Sequence, residues 1–300
     1  MPVRLTAALL ALAGGVAAVV LAALLVQRTP GPVSAAPAPA PVSAPPPQQK
    51  PANRFPAPPP VAVVLAREAE PDALAVAVTP SAVQVSVVGQ QANGVSGLAV
   101  TVNGEQTTAC GAGCYRASVS DSRTLDVHVA ATRWLVAVPR PRDGTAIVGR
   151  AARVWRALHT LVFTDRLGSD ATHVVRSRWT AVAPNRLSYV IRGGYSAVIV
   201  GGRRWDRAPH GKWIESPQTV QVRQPAPLWQ SETDANVVRE TTSAWRVTFY
   251  DPRTPAWFAI TVDKRTGRTL ELDMTTTAHF MHERYGPFDA RIAVRPPTSP

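Results

Sequence analysis

LSYVIRGGYSAVIVGGRRWDR, residues Leu187–Arg207, alternates short apolar runs with paired glycines. Gly193-Gly194 and Gly201-Gly202 bracket Tyr195–Val200. A phosphate-binding glycine loop joins a strand to a helix, whereas these pairs flank a strand, so they read as hairpin turns. The stretch is therefore part of an antiparallel meander. Working outward, the same pattern predicts strands over His159–Leu167, His173–Ala183, Arg186–Arg192, Ser196–Val200, Arg203–Arg207 and Lys212–Glu215. After a break near Pro225–Trp229 it predicts Ala235–Glu240, Ser243–Tyr250, Trp257–Asp263 and Thr269–Met281. Pro184-Asn185 and the Lys264–Gly267 segment supply further turns.

Upstream, Thr145–Thr160 reads TAIVGRAARVWRALHT, with apolar residues at Ile147, Ala151, Val154, Trp155 and Leu158. That spacing predicts an amphipathic helix, with Arg150, Arg153 and Arg156 mainly off the stripe and Asp143 placed to cap its start. One leading helix and some ten strands suggest a single curved antiparallel sheet wrapped round the helix.

This half of the chain resembles a known family. Leu187–Arg207, then Gly211-Lys-Trp-Ile-Glu-Ser-Pro217, is similar to the LolA / LppX–LprG type of lipoprotein-carrier domain. The closing run from Ala278 to Asp289, with Ile292 and Pro296-Pro297, resembles that family's last strand and tail. The likeness covers about 145–298. It implies an unclosed half-barrel with a helix-lined apolar cavity that holds acyl chains or lipoproteins in transit. The layout of the whole chain is also similar to extracytoplasmic tails of CopC/CopD-type copper-transport proteins. That likeness implies a copper-transport membrane protein as partner.

Before the helix, Val61–Pro139 is written in short strands: Ala73–Thr79, Ala82–Val88, Leu98–Val102, Tyr115–Val119, Thr124–Ala130 and Arg133–Val138. Asn103-Gly104 is a two-residue hairpin signal. Six or seven strands at this spacing predict a small immunoglobulin-like β-sandwich. The fold class is thus mainly β. The sandwich spans 61–140, an α+β half-barrel spans 141–300, and a transmembrane helix stands at the N-terminus.

Residues 28–60 are rich in proline and alanine, have no apolar periodicity and read as an extended spacer. Leu5–Val26, inside the segment 1–27, is an uncharged run of 22 residues. As a helix it would reach about 33 Å, enough to cross a bilayer core of ~30 Å. It reads as a membrane anchor, with a cleaved signal as the alternative, since small residues at Ala35, Ala36 and Ala38 resemble a processing site. The expected location is the cell membrane, single-pass, with the β domains on the extracytoplasmic side.

The net charge is +12, and Lys50, Lys212 and Lys264 are the only lysines, so arginine carries it. The basic residues are scattered along the chain with no run, which argues against a nucleic-acid partner. Cys110 and Cys114 are the only cysteines. Their spacing, with two intervening glycines, reads as a disulfide in an oxidising compartment, and a soft-metal pair is the alternative. Trp155, Trp179, Trp205, Trp213, Trp229, Trp245 and Trp257 all fall in the second domain. They are candidates for lining an apolar ligand cavity or for filling its core.

His279, Met281 and His282 are an alternative copper set, although residues 279 and 282 point to opposite faces of a strand. Asp165, Asp206, Glu215, Asp251, Asp263 and Glu271 lie at or near predicted strand ends and read as solvated carboxylates. The chain contains no Gly-x-Ser-x-Gly and no His-Glu-x-x-His motif, so no catalytic role and no cofactor are expected. The function expected is the binding of a lipid, lipoprotein or other apolar ligand. The alternatives are a copper-transport accessory and an envelope interaction or sensor module.

Overall fold

The computed structural model describes residues 56–69, 72–90, 93–120, 123–169, 173–223, 225–276 and 279–298, all within the unit Arg54–Pro300. Among these residues no helix is long and apolar enough to cross a membrane. The segment Leu5–Val26 and residues 28–55 of the spacer lie outside the described residues.

The first module has nine strands. They are β1 (Val63–Ala69), β2 (Asp72–Val78), β3 (Ala82–Val88), β4 (Val100–Val102), β5 (Glu105–Gln106), β6 (Thr108–Gly111), β7 (Cys114–Ser118), β8 (Thr124–Val129) and β9 (Thr132–Ala137). One sheet runs β1-β2-β3-β7-β6 and the other β5-β4-β8-β9. Apart from the added β1, this is the immunoglobulin order A-B-E-D facing C′-C-F-G. Leu74, Val76, Val83, Val85 and Tyr115 from one sheet meet Val100, Leu125, Val127 and Val136 from the other in a single core. The Tyr115 hydroxyl donates to the Val95 carbonyl at 2.7 Å and accepts from the Leu98 N–H at 3.1 Å, which ties the β3–β4 connection to that core. Asn103 and Gly104 both have positive φ, as a tight two-residue hairpin requires. Cys110 and Cys114 form the disulfide. Gly113 beside it lies so close to the Val87 carbonyl that a Cβ would stand 2.3 Å from that oxygen.

The helix α1 runs Thr145–Arg156, shorter than the expected Thr145–Thr160 because the chain must enter the first strand of the next sheet at Thr160. Gly144 is the N-cap residue, and Asp143 Oδ1 accepts from the Thr145 N–H at 2.8 Å. That bond holds the Asp143 carboxyl below its ordinary pKa. A Cβ at Gly144 would meet Val247 at 2.6 Å, so this end of the helix is pressed on the sheet.

The large sheet begins with β10 (Thr160–Gly168), β11 (Val174–Val182), β12 (Arg186–Ile191), β13 (Ser196–Val200), β14 (Arg203–Arg207) and β15 (Trp213–Pro217). It continues with β16 (Thr233–Glu240), β17 (Ala244–Asp251), β18 (Ala256–Asp263), β19 (Thr269–Thr276) and β20 (His279–Phe288). The order is β15-β14-β13-β12-β11-β10-β20-β19-β18-β17-β16. The chain starts at the centre, walks to one edge, crosses over through residues 218–232, and walks back until β20 pairs with β10. All pairings are antiparallel and the two edges do not meet, so the sheet is open.

The expected single strand Thr269–Met281 is two, β19 and β20, with Met274 opposite Met281. The sequence between the two strands carries no glycine, proline or asparagine, so the punctuation that marks the other turns is missing. Strand β1 was also not foreseen. It joins the sandwich to the large sheet, because Ala62, Val64, Ala73, Ala75 and Ala77 pack against Tyr250, Trp257 and Phe280.

Candidate functional site

Strand alternation assigns each side chain of the large sheet to a face. On the inner face, the side of α1, aromatic rings form an unbroken chain. Tyr189 touches Trp179 (4.4 Å between centroids), Trp179 stacks on Phe163 (5.8 Å), and Phe163 meets Tyr285 (5.6 Å). Tyr285 meets Trp155 of α1 at 4.7 Å, and Trp155 meets Trp229 of the crossover at 5.5 Å. Trp229 in turn packs on Phe249 and Phe258. The helix and the crossover fill this face with their own rings.

Two carboxyl groups lie beneath them. Asp165 and Glu283 are paired positions on β10 and β20, at 7% and 5% exposure. Ser177 donates to Asp165 Oδ2 at 3.3 Å, and Trp179 Nε1 donates to Ser177 at 2.6 Å. Tyr285 donates to Glu283, while Asp165 Oδ1 is buried without a partner. Burial pushes Asp165 up to about 7. Burial and the neighbouring Asp165 push Glu283 up to about 8. Burial and the Glu283 charge raise the Tyr285 hydroxyl well above its ordinary value. Asp165 is therefore no solvated strand-end group, and the reading of it from sequence is corrected. A mid-strand carboxyl inside an otherwise apolar alternation, LVFTDRL, was the signal available.

Asp251 is likewise fully buried. It accepts from Ser231, Thr254 and the N–H groups of Gln230 and Arg253, which together hold its pKa down against the burial that raises it. It anchors the crossover to the end of β17. Asp206 faces inward too, in an ion pair with Arg204, whose side chain is 8% exposed.

On the outer face, a groove of about 490 Å³ opens between the sandwich and strands β16–β20 and β10. Its apolar wall includes Ala66, Leu135, Trp257 and Phe280. Leu135 is 64% exposed, an unusual state for a leucine beside a concavity. The polar wall is a cluster at the sheet's centre. Asp273 accepts from Arg246, and His282 Nδ1 lies 2.6 Å from Asp273 Oδ1. Arg246 also donates to Thr261 at 2.9 Å. Arg166 is the strand partner of His282 and forms no ion pair among the described residues. Across the groove, Arg67 lies 5.7 Å over the Trp134 ring and donates to the Glu68 carbonyl. Asp273 thus serves two partners, Arg166 stands beside them in no ion pair among the described residues, and Glu68 adds a second carboxylate to the groove lining.

The expected tryptophan set is divided by this geometry. Trp155, Trp179 and Trp229 belong to the inner aromatic chain. Trp245 sits at the rim, donating to Glu240 under the Lys264 ammonium. Trp205 and Trp213 are on the outer face, covered by Arg203 and Arg207 at 4.8 and 4.6 Å. Trp257 is in the interface with the sandwich. A single cavity lined by all of them is not what the fold builds, because strand alternation sends them to both faces.

His279 and Met281 share the inward parity, and His282 faces outward. Cys110 and Cys114 are joined in the disulfide. Among the described residues no three His, Cys, Asp or Glu side chains come together as a metal group.

No family model matches the chain, and no curated protein does. Solved structures do. One is a LolA superfamily protein from Nitrosomonas europaea, 9% identical, with 51% of this chain and 95% of that chain covered and a TM-score of 0.25. The likeness is one of distant fold alone. The curved antiparallel sheet and the disulfide expected from sequence are present.

Proposed function

We propose that this chain is a non-catalytic binding protein for an amphiphile with an anionic head group, a molecule of the lipid class. The ligand's apolar part lies against Leu135 and Ala66, above the buried rings of Trp257 and Phe280, and its head group meets Arg166, Arg246 and His282. The observation that carries this reading is the meeting, in one groove, of an exposed leucine with Arg166, Arg246 and His282, of which Arg166 forms no ion pair among the described residues. Specific small-molecule sites join an apolar lining to a few converging polar groups in this way. The buried carboxyls Asp165 and Glu283 are covered by rings on the other face, which suits a structural role. In this reading Leu5–Val26 tethers the protein to a membrane, and the proline-rich spacer sets the reach of the two modules on the outer side.

Calorimetric titration of residues 54–300 tests it. Lysophosphatidylglycerol and lysophosphatidylcholine are the probes, each kept below micelle formation. The expected result is saturable one-to-one binding of the anionic lipid, weakened about tenfold by Arg166→Ala, the loss of one charge-assisted contact. Leu135→Asp, at a position outside the cores, is expected to abolish it. Absence of saturable binding, or binding indifferent to both substitutions, rules the groove out as the ligand seat.

A further inference from the structure

The outer face of the large sheet has a second half, away from the sandwich. Arg176, Arg178, Arg192, Arg203 and Arg207 all fall on it by strand alternation, next to Arg166 at the groove, and the register confirms the grouping. Arg166 is paired with Arg176, Arg178 with Val190, Arg207 with Trp213, and the Arg192 N–H donates to the Arg176 carbonyl. Arg176, Arg178, Arg192, Arg203 and Arg207 are exposed. Among the described residues of β10–β15 one carboxylate shares this face, Glu215, and it is taken up by Arg203. Arg207 and Arg203 lie over Trp213 and Trp205. Val190 stands among them 54% exposed. These arginines are far apart in sequence. The two-residue period of five neighbouring strands gathers them into one basic, indole-backed surface.

We infer that the outer face of β11–β15 docks on an anionic lipid bilayer. The charge is nearly all of one sign and spread over a broad sheet face, and five strands at ~4.8 Å give it a width of about 20 Å. A bilayer presents charge over an area, and arginine is a side chain that keeps its charged head at the headgroup level. Both indoles are already covered by guanidinium groups, so no bare ring is offered for stacking bases as single-stranded nucleic acid requires. The surface is independent of what the neighbouring groove holds.

Co-sedimentation of residues 54–300 with vesicles decides the matter. This unit contains all three sheets and both the sandwich core and the cluster between the modules. The vesicles are phosphatidylcholine alone or phosphatidylcholine mixed with phosphatidylglycerol. Binding is expected to the mixed vesicles only, with release at high salt as the Debye length shrinks. Each arginine near an anionic surface contributes about fivefold in partitioning, so Arg176→Gln/Arg178→Gln/Arg207→Gln loses about a hundredfold. The control Arg116→Gln/Arg123→Gln/Arg153→Gln removes the same charge from other exposed positions and is expected to stay within a few-fold of the parent. Thermal melting verifies that both variants fold, and Arg166 is retained so that the groove is untouched. Equal binding to neutral vesicles, equal loss in the two triple variants, or a preference for duplex DNA over mixed vesicles overturns the inference.

Discussion

The two halves of the large sheet share one inner face and differ on the outer one. Behind β16–β20, the outward positions carry Tyr250, Trp257 and Phe280, and they receive an alanine row from the sandwich. Behind β11–β15, the outward positions carry arginines and meet solvent. Strand β2 shows how the covered half is prepared. In Asp72–Val78, DALAVAV, the larger residues Leu74, Val76 and Val78 enter the sandwich core, while Ala73, Ala75 and Ala77 face the aromatic rings. Small side chains on one surface let the large ones opposite approach closely, the usual condition for dense packing between layers. The inward positions of the large sheet hold the fold, and its outward positions decide what each half meets. The seam lies at β10 and β20, where Arg166 and His282 face the groove and Asp165 and Glu283, the adjacent register pair, face the core.

The covered half is broken most directly at Trp257, which is 2% exposed. Trp257→Ala removes the ring that the alanine row was shaped to meet. It is expected to cost about 4 kcal/mol, the usual range for deleting a buried large aromatic. Urea unfolding of residues 54–300 measures it. The sandwich and the large sheet should then melt in separate transitions, whereas the parent unfolds with the two coupled. A loss under about 1 kcal/mol, the scale of an ordinary substitution, would mean that the two modules do not depend on this contact.

The seam predicts a pH dependence. Asp165 and Glu283 titrate at about 7 and about 8 in the fold, above the ordinary carboxyl range, chiefly because burial disfavours their charged forms. Between the unfolded and folded pKa values the native state holds protons that the unfolded chain has released. The stability these two groups contribute is therefore greatest in acid, below the unfolded values, and is lost as pH rises toward 8, while carboxyls held below their ordinary pKa, Asp251 among them, contribute in the opposite direction. The slope is set by ~1.4 kcal/mol for each tenfold difference in proton affinity between the folded and unfolded chain. Glu283→Gln removes the like-charge neighbour and keeps an acceptor for Tyr285, so it should flatten much of this slope. Urea midpoints across the acid-to-neutral range provide the measurement. Parallel profiles for the parent and Glu283→Gln would show that the buried pair does not keep its protons in the fold.

Much of this architecture was legible in the sequence. The meander was read from glycine pairs, the hairpin at Asn103-Gly104 from turn chemistry, and the disulfide from its spacing. Elements whose boundaries lack turn residues escaped. No glycine or proline stands between Met274 and Met281, and β1 lies beside the proline-rich spacer, where its apolar run has no punctuation. The site was less legible than the fold. Six arginines scattered over Arg166–Arg207 form no run, and only the strand period with the order β10 to β15 places them on one face. For the same reason the tryptophans could be counted but not assigned. Trp155 and Trp257 are both buried and belong to different surfaces.

On the bare half, Arg203 tests whether the arginines also protect what lies under them. Its guanidinium covers Trp205, which is only 7% exposed at an outward position, and it grips Glu215 through two hydrogen bonds. Arg203→Ala uncovers the indole and is expected to cost about 1 kcal/mol, in line with a cation–π contact at a solvated site. An intrinsic tryptophan red shift should accompany it.

The smallest effect is expected at Arg178, and it separates the halves most sharply. Arg178 is exposed, faces Val190 across the strand pair and forms no ion pair among the described residues. Arg178→Ala should therefore change unfolding stability by no more than about 0.5 kcal/mol, as for a surface position away from caps and cores. If stability instead rises by a measurable amount, the arginines of this face repel one another. The fold would then tolerate that repulsion for a partner's sake, because a charge set kept only for solubility has no reason to be crowded on one side of one sheet. An unchanged stability leaves the face free of any folding duty. The contrast with Trp257 is then complete, with one half of the outer surface committed to the molecule itself and the other available to something outside it.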